Sequence, residues 1–367
     1  MTYTPDLSEK AFQPRYALPE RAKPPVLGFI TDCTDDLALT KVELAKIDAF
    51  GDGWKLLPTI GIPKFQTDVL GVQGAVLARY LGEYSQKNEV QCALILNSAP
   101  RVQGEGLIGG EILVIELDNG VPVLLTNGPG VLEPFEGRIA NAWKIHTDVM
   151  VQNETLQPTQ FRSFKWFSDL LSKFLYADKD LVHTPIEDIN TYFVPRENEG
   201  PFIWHIDNFG NAKLTITESY LEEHGIEEGD ELVLQIAGKQ IVATARQKLF
   251  PLPEDADKFH IGHYKGSDQN GDQHYWELAI AWESFAAFVE NEAVSIDSDS
   301  TPTKLIPGAH VEVLGIRKSV DREERDYDEP NGVVSGLSVV TIASPAHRQH
   351  GTEKSDTTRA APTLDDL

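Results

Sequence analysis

Three polar segments in the first half of the chain each close an apolar run. Val26-Leu27-Gly28-Phe29-Ile30-Thr31 leads into Asp32, with Asp35 and Asp36 just beyond; Val90 to Leu96 leads into Asn97-Ser98; Val121 to Leu125 leads into Thr126-Asn127-Gly128. Apolar runs of this length bounded by polar turns read as buried strands. In an α/β layer the carboxyl ends of strands are where ligands bind. A carboxylate at such an exit can accept both hydroxyls of a ribose or hold a metal, and amides and hydroxyls beside it add hydrogen bonds. Each segment also has a plain reading. Asp32 or Asp35 can cap a helix, and the other two can be ordinary turn chemistry. Three polar exits in one domain are harder to explain as coincidence.

A fourth segment lies in the second half. His205-Ile206-Asp207-Asn208-Phe209-Gly210-Asn211 runs from an apolar strand into an aromatic flanked by an acid, two amides and a glycine. A ring that stacks and an amide that both donates and accepts suit a purine. The plain alternative is a β-turn with one buried Phe. Gly104 to Gly109 spells GxGxxG, but a β-type run, Glu111 to Leu117, follows it. A dinucleotide fingerprint needs a helix there, so this reading is set aside. No GxxxxGK[ST], HExxH or GxSxG pattern occurs.

The elements that must position these residues follow from periodicity. Asp35 to Ile47 is loosely helical, Trp54 to Ile62 is a short strand, and Thr67 to Tyr84 is the clearest helix. Its apolar positions Val69, Val72, Val76, Leu77, Tyr80 and Tyr84 fall three and four apart, with Thr67 available as its cap. The alternation of strand and helix favours an α/β layer with parallel strands. Asp118-Asn119-Gly120 then predicts a hairpin, because Asn and Gly tolerate positive φ. Phe161 to Leu175 returns to helix, with Phe161, Phe164, Phe167, Leu171 and Phe174 on one face. After His183 to Glu199, the strands Phe202–Ile206, Leu232–Ile236, Gln240–Ala245, Tyr275–Ala281 and Val311–Leu314 predict a small barrel or sandwich. The division expected is an extended arm over 1–25, which carries five prolines, an α/β domain over 26–182, a linker over 183–199, a smaller C-terminal β-barrel over 200–318, and a disordered tail over 319–367.

Composition narrows the partners. The chain has 367 residues, with 32 basic and 57 acidic side chains and a net charge of −25. That charge repels phosphate backbones and anionic lipid surfaces, so neither nucleic acid nor membrane is an expected partner. Two distant cysteines, Cys33 and Cys92, support neither a disulfide framework nor a structural zinc site. No signal-peptide pattern opens the chain and no apolar run approaches a membrane span, so a soluble, cytoplasmic protein is expected.

In the order of its segments, the chain over roughly 26–316 resembles the S-adenosyl-L-methionine hydroxide adenosyltransferases, the family that includes the related fluorinating and chlorinating enzymes. The family pattern TDFG…D resembles Thr31-Asp32-Cys33-Thr34-Asp35-Asp36, and VDPGVG resembles Leu96-Asn97-Ser98-Ala99-Pro100. PDNG-LL resembles Leu125-Thr126-Asn127-Gly128 with Gly130-Val131-Leu132, and TFHGRD-IFAP resembles Gln160 to Phe167. IDxFGNxxTNI resembles Ile206-Asp207-Asn208-Phe209-Gly210-Asn211 closing at Ile216, and Glu228-Gly229-Asp230 resembles part of the family's β-barrel. The resemblance implies a homotrimer with sites between subunits, and attack of water at C5′ of S-adenosylmethionine to give adenosine and methionine. No metal or cofactor is implied. It also implies that Asp32 holds the ribose hydroxyls, Asn127 contacts the ligand, Asp207 meets the methionine ammonium, Phe209 and Asn211 meet the adenine, and Ser284 takes the carboxylate. At the family's water-activating Asp, Arg and His this chain has Asn97, Phe164 and Arg162. Asn97 and Arg162 are therefore the catalytic candidates, on a site whose alternative role is adenosyl-ligand binding with weak or no turnover.

Overall fold

The computed structural model describes residues 23–98, 110–158, 162–196, 199–246, 259–263, 275–280, 286, 305–319 and 339–340. The first half forms β1 (Val26–Thr31), α1 (Asp36–Phe50), β2 (Lys55–Leu56), β3 (Ile60–Gly61), α2 (Thr67–Asn88), β4 (Cys92–Asn97), β5 (Ile112–Leu117), β6 (Pro122–Thr126), β7 (Ile139–Ile145), α3 (Thr147–Gln152), α4 (Arg162–Lys165), α5 (Phe167–Leu175) and β8 (His183–Pro185). The strand order is β2-β1-β4-β6-β5-β7-β8, with β3 also pairing β1. β1, β4 and β6 run parallel at the centre, while β5, β7 and β8 are antiparallel. The fold is a mixed α/β one.

The central strands read as continuous apolar runs because both faces of the sheet are covered. Ile30, Leu94, Leu96, Val123 and Leu125 pack under α2, whereas Leu27, Phe29, Ala93, Ile95 and Leu124 pack with residues of α1 and α5. Small residues bring α2 close to the sheet. A side chain on Gly74 would start 2.4 Å from Leu96, and one on Gly71 2.7 Å from the Val131 carbonyl. The buried face of α2 is therefore Val69, Val72, Ala75, Ala78 and Leu81, while Tyr80 and Tyr84 of the expected apolar stripe are exposed.

Other local expectations are refined. Pro58 divides the segment Trp54–Ile62 into β2 and β3, both parallel to β1, because proline has no N–H for a ladder. Thr67 is not the cap of α2; its hydroxyl donates to Pro129 O at 2.6 Å and anchors the helix start to the loop after β6. On α1 the apolar Leu37, Leu44 and Ile47 face outward, and Lys46 is fully buried. Its ammonium donates to Glu43 Oε1 at 2.9 Å, Leu57 O at 2.7 Å and Thr59 Oγ1 at 3.1 Å, which satisfies the charge and ties the β2–β3 connection to α1. The hairpin between β5 and β6 forms, with Gly120 at φ +78°. The helix expected over Phe161–Leu175 breaks at Trp166 into α4 and α5; Phe161 lies outside the described residues.

The second half contributes β9 (Ile203–Ile206), β10 (Ala212–Thr217), α6 (Glu218–Glu223), β11 (Glu231–Ile236), β12 (Lys239–Arg246), β13 (Phe259–His263), β14 (Tyr275–Ile280), β15 (Val311–Arg317) and β16 (Val339–Val340). They order as β16-β15-β11-β12-β13-β14-β10-β9, antiparallel except for β12 with β13. Alternate residues of β10 and β12 are buried, as expected of strands with one face on a core. Phe202 bridges His310, and Ile203 N donates to Ala309 O at 2.9 Å, so the approaches to β9 and β15 meet. The tail expected to be disordered from 319 onward lies mostly outside the described residues, but Val339–Val340 adds a short edge to β15. The two sheets share a core: Phe202 and Trp204 pack with α2 residues, and Gln73 Nε2 donates to Trp204 O at 2.9 Å.

Candidate functional site

Register turns the three polar exits into one surface. Thr31 is level with Asn97 across β1 and β4, and Leu96 with Leu125 across β4 and β6. Thr31, Asn97 and Thr126 therefore form one row across the parallel strands, and Asp32, Ser98 and Asn127 form the next. All six are buried, from fully covered Thr31 to Asn127 at 7% exposed. So many polar side chains at one sheet end need partners, and most find them in one another.

Ser98 Oγ donates to Asp32 Oδ2 at 3.2 Å, and the Phe65 N–H reaches the same oxygen at 3.4 Å. Phe65 sits at φ +66°, an uncommon conformation for a residue with a side chain. Cys33 Sγ lies 4.0 Å from Asp32 Oδ1 and 3.2 Å from Ser163 Oγ. Asn97 Nδ2 bridges β1 and α4 by donating to Thr31 Oγ1 at 3.0 Å and Ser163 Oγ at 2.8 Å. Asp32 is thus held at the strand exit and does not cap α1; the cap is Asp35, which accepts from Ala38 N at 2.8 Å.

α4 supplies the far side. Ser163 is buried against Asn97, and Arg162 Nη1 donates to Gly110 O at 3.1 Å. Burial pushes the Arg162 guanidinium below its usual pKa. Phe164 turns the other way, into the cluster shared by α1 and α5, with Lys41 Nζ 5.1 Å above its ring. The Asn127 amide donates to Tyr192 O at 3.0 Å, while its Oδ1 and Thr126 Oγ1 have no partner among the described residues.

Asp32, Asn97, Asn127 and Arg162 are thereby gathered at one sheet end. Asp207, Phe209 and Asn211 form a separate turn between β9 and β10. Asp207 Oδ1 accepts from Phe209 N at 2.9 Å and Asn211 N at 3.0 Å, and Asn211 Nδ2 donates to Oδ2 at 3.3 Å. Asp207 shapes the turn, and Phe209 is 79% exposed, which removes the reading of one buried Phe. Ser284 and the glycines 104–109 lie outside the described residues. Sequence reasoning missed Ser163 and the Phe65 N–H, since neither a lone serine beside two aromatics nor a backbone donor leaves a signal in composition or spacing. Among the described residues no group of three or more His, Cys, Asp or Glu is placed to hold a metal, and no helix is long and apolar enough to cross a membrane.

No family model and no curated protein matches the chain. Among solved structures, an uncharacterized conserved protein from Thermotoga maritima is similar with a TM-score of 0.48 at 11% identity, covering 71% of this chain and 95% of that one. A conserved hypothetical protein from Thermus thermophilus is similar with a TM-score of 0.43 at 14% identity, covering 79% of this chain and 100% of that one.

Proposed function

We propose that the carboxyl ends of β1, β4 and β6 bind an adenosyl ligand, and that the chain hydrolyses S-adenosylmethionine to adenosine and L-methionine slowly. The observation that carries this reading is the buried Asp32 carboxylate, held by Ser98 Oγ at 3.2 Å at a parallel strand exit, where a ribose diol can meet it. In the reaction, water oxygen bonds to C5′, the C5′–S bond breaks, methionine leaves as a neutral thioether and one proton passes to solvent. The sulfonium is already a good leaving group, so orientation and exclusion of bulk water supply much of the rate.

The second reading, ligand binding without turnover, is favoured by Asn97. Its Nδ2 is engaged with Thr31 and Ser163, and an amide cannot take a proton from water. The exposed Phe209 ring fits the proposed trimer, in which this turn of one subunit would close over the strand exits of the next, on a C-terminal sheet completed as a barrel. Purified protein titrated with S-adenosylmethionine, followed by binding heat and by adenosine release, separates the readings. Binding with slow release supports the proposal, binding with no release the second reading, and absence of binding defeats both.

A further inference from the structure

Helix α1 carries apolar residues on two opposite faces. Val42 and Phe50 are buried in the cluster shared with the sheet and α5, as the covered face of an amphipathic helix should be. Leu37, Leu44 and Ile47 form a second strip along the helix, and they are 64%, 56% and 52% exposed. Single apolar residues scattered over a surface need no explanation. Three aliphatic side chains aligned along one helix make a contiguous strip of the kind that marks a contact, and nothing among the described residues covers it.

The charges beside the strip decide what fits it. The whole chain carries −25, so an identical copy is repelled unless the contact itself is balanced. Lys41 lies one turn before Leu44 and Asp48 one turn after it, both at exposed positions of the helix. The Lys41 ammonium is 5.1 Å from the centre of the Phe164 ring, a contact on one side that leaves N–H donors for a carboxylate. When two copies of α1 run antiparallel, a two-fold axis midway between Lys41 and Asp48 passes between Leu44 and Ala45. That axis sets Lys41 of each copy level with Asp48 of the other, and gathers Leu44 and Ile47 of both copies between the two ion pairs. The strip is complementary to itself in charge and in polarity, which is what an isologous contact requires.

We propose that the outer face of α1 is a self-association surface, on which a second copy of this chain packs antiparallel about a two-fold axis between Leu44 and Ala45. The contact uses neither the strand exits nor the Phe209 turn. It therefore does not rest on the adenosyl-ligand reading, and it doubles whatever assembly that turn makes. The 15 residues of α1 span about 22 Å, and one helix against its copy falls at the small end of interface sizes, so the pairing is concentration-dependent.

The test is sedimentation equilibrium of the full chain over a wide range of concentration, compared with Leu44→Lys, Lys41→Asp, Asp48→Lys and the double variant Lys41→Asp/Asp48→Lys. The expected result is that the unmodified chain reaches twice the mass of Leu44→Lys, whose ammonium loses its water at the two-fold axis and weakens association by about a hundredfold. Each single charge reversal sets like charges together in both symmetry-related pairs and weakens association about tenfold. The double variant exchanges the partners and returns to within about threefold of the unmodified chain, a restoration that a folding defect cannot produce. Equal masses for the unmodified chain and Leu44→Lys at every concentration would overturn the inference, whether that mass is of one chain or of three. So would reversals whose losses add in the double variant, since Lys41 and Asp48 would then not meet.

Discussion

Replacing Asn97 by Asp exchanges an amide for a carboxylate of nearly the same shape. Asn97 is 3% exposed and donates to Thr31 Oγ1 at 3.0 Å and Ser163 Oγ at 2.8 Å. A carboxylate there reverses both bonds. Thr31 Oγ1 already accepts from Cys33 N at 3.1 Å, so its own proton is free to turn toward Asp. Ser163 must turn its hydroxyl proton to the carboxylate, leaving Cys33 Sγ, 3.2 Å away, to donate to Ser163 Oγ. Two neutral bonds become charge-assisted, a gain of about 1 kcal/mol each, against a burial cost of several kcal/mol for the ion. The net expectation is a loss of about 1–3 kcal/mol of stability, read as a lower urea midpoint with unchanged slope. In exchange the site gains a general base, typically worth ~10²–10⁴-fold in rate. Chromatographic measurement of adenosine released from S-adenosylmethionine should show that rise in Asn97→Asp. A variant that still binds adenosine at the same rate of release would place Asn97 away from the attacking water. Fast release by the unmodified chain would show that the amide is not limiting. Phe164→Arg, the companion change the resemblance implies, should add nothing, because Phe164 packs toward α1 and α5.

Three further outcomes are expected. Asp32→Asn should weaken adenosine binding by about 1.5–3 kcal/mol in calorimetry, and unchanged affinity in the folded variant would remove Asp32 from the site. Asp230 is buried, which raises its pKa, but Lys318 Nζ at 2.8 Å and the N–H groups of Glu227 and Ser319 outweigh that and hold it below the usual value. Its contribution is therefore present above about pH 4 and lost as pH falls through the folded value, so Asp230→Asn should cost about 1–3 kcal/mol at pH 7 and progressively less below pH 4. A gap independent of pH in urea melts would show that the carboxylate charge is not what matters. Ending the chain after Ser319 removes the two residues of β16 from the edge of β15, a loss below about 2 kcal/mol with the elution volume in size-exclusion chromatography changed only by the lost mass; a change in the state of assembly would show that this edge is an assembly surface.

The amino-acid sequence by itself determined the apolar runs of β1, β4 and β6, the turn at Asn119-Gly120, and the polar residues that end each run. These are local properties: a buried strand must be apolar on both faces, and a turn needs residues that tolerate its backbone. The same local pattern misread α2 and α1. Large residues such as Tyr80 and Tyr84 carry the helical period, yet the helix lies against the sheet through Gly74 and Ala78 and against the loop after β6 through Gly71, because close approach requires small side chains there. Lys46 is buried because distant Leu57 and Thr59 satisfy it, which no window around α1 contains. The site divides in the same way. Asp32, Asn97 and Asn127 were legible as strand exits. Their alignment in adjacent rows, the arrival of Ser163 from 130 residues beyond Cys33 with Arg162 beside it, and the outward turn of Phe209 were decided only when the sheet set its register and α4 closed on it. Chain position fixes which residues end a strand; only non-local packing fixes which of those ends meet.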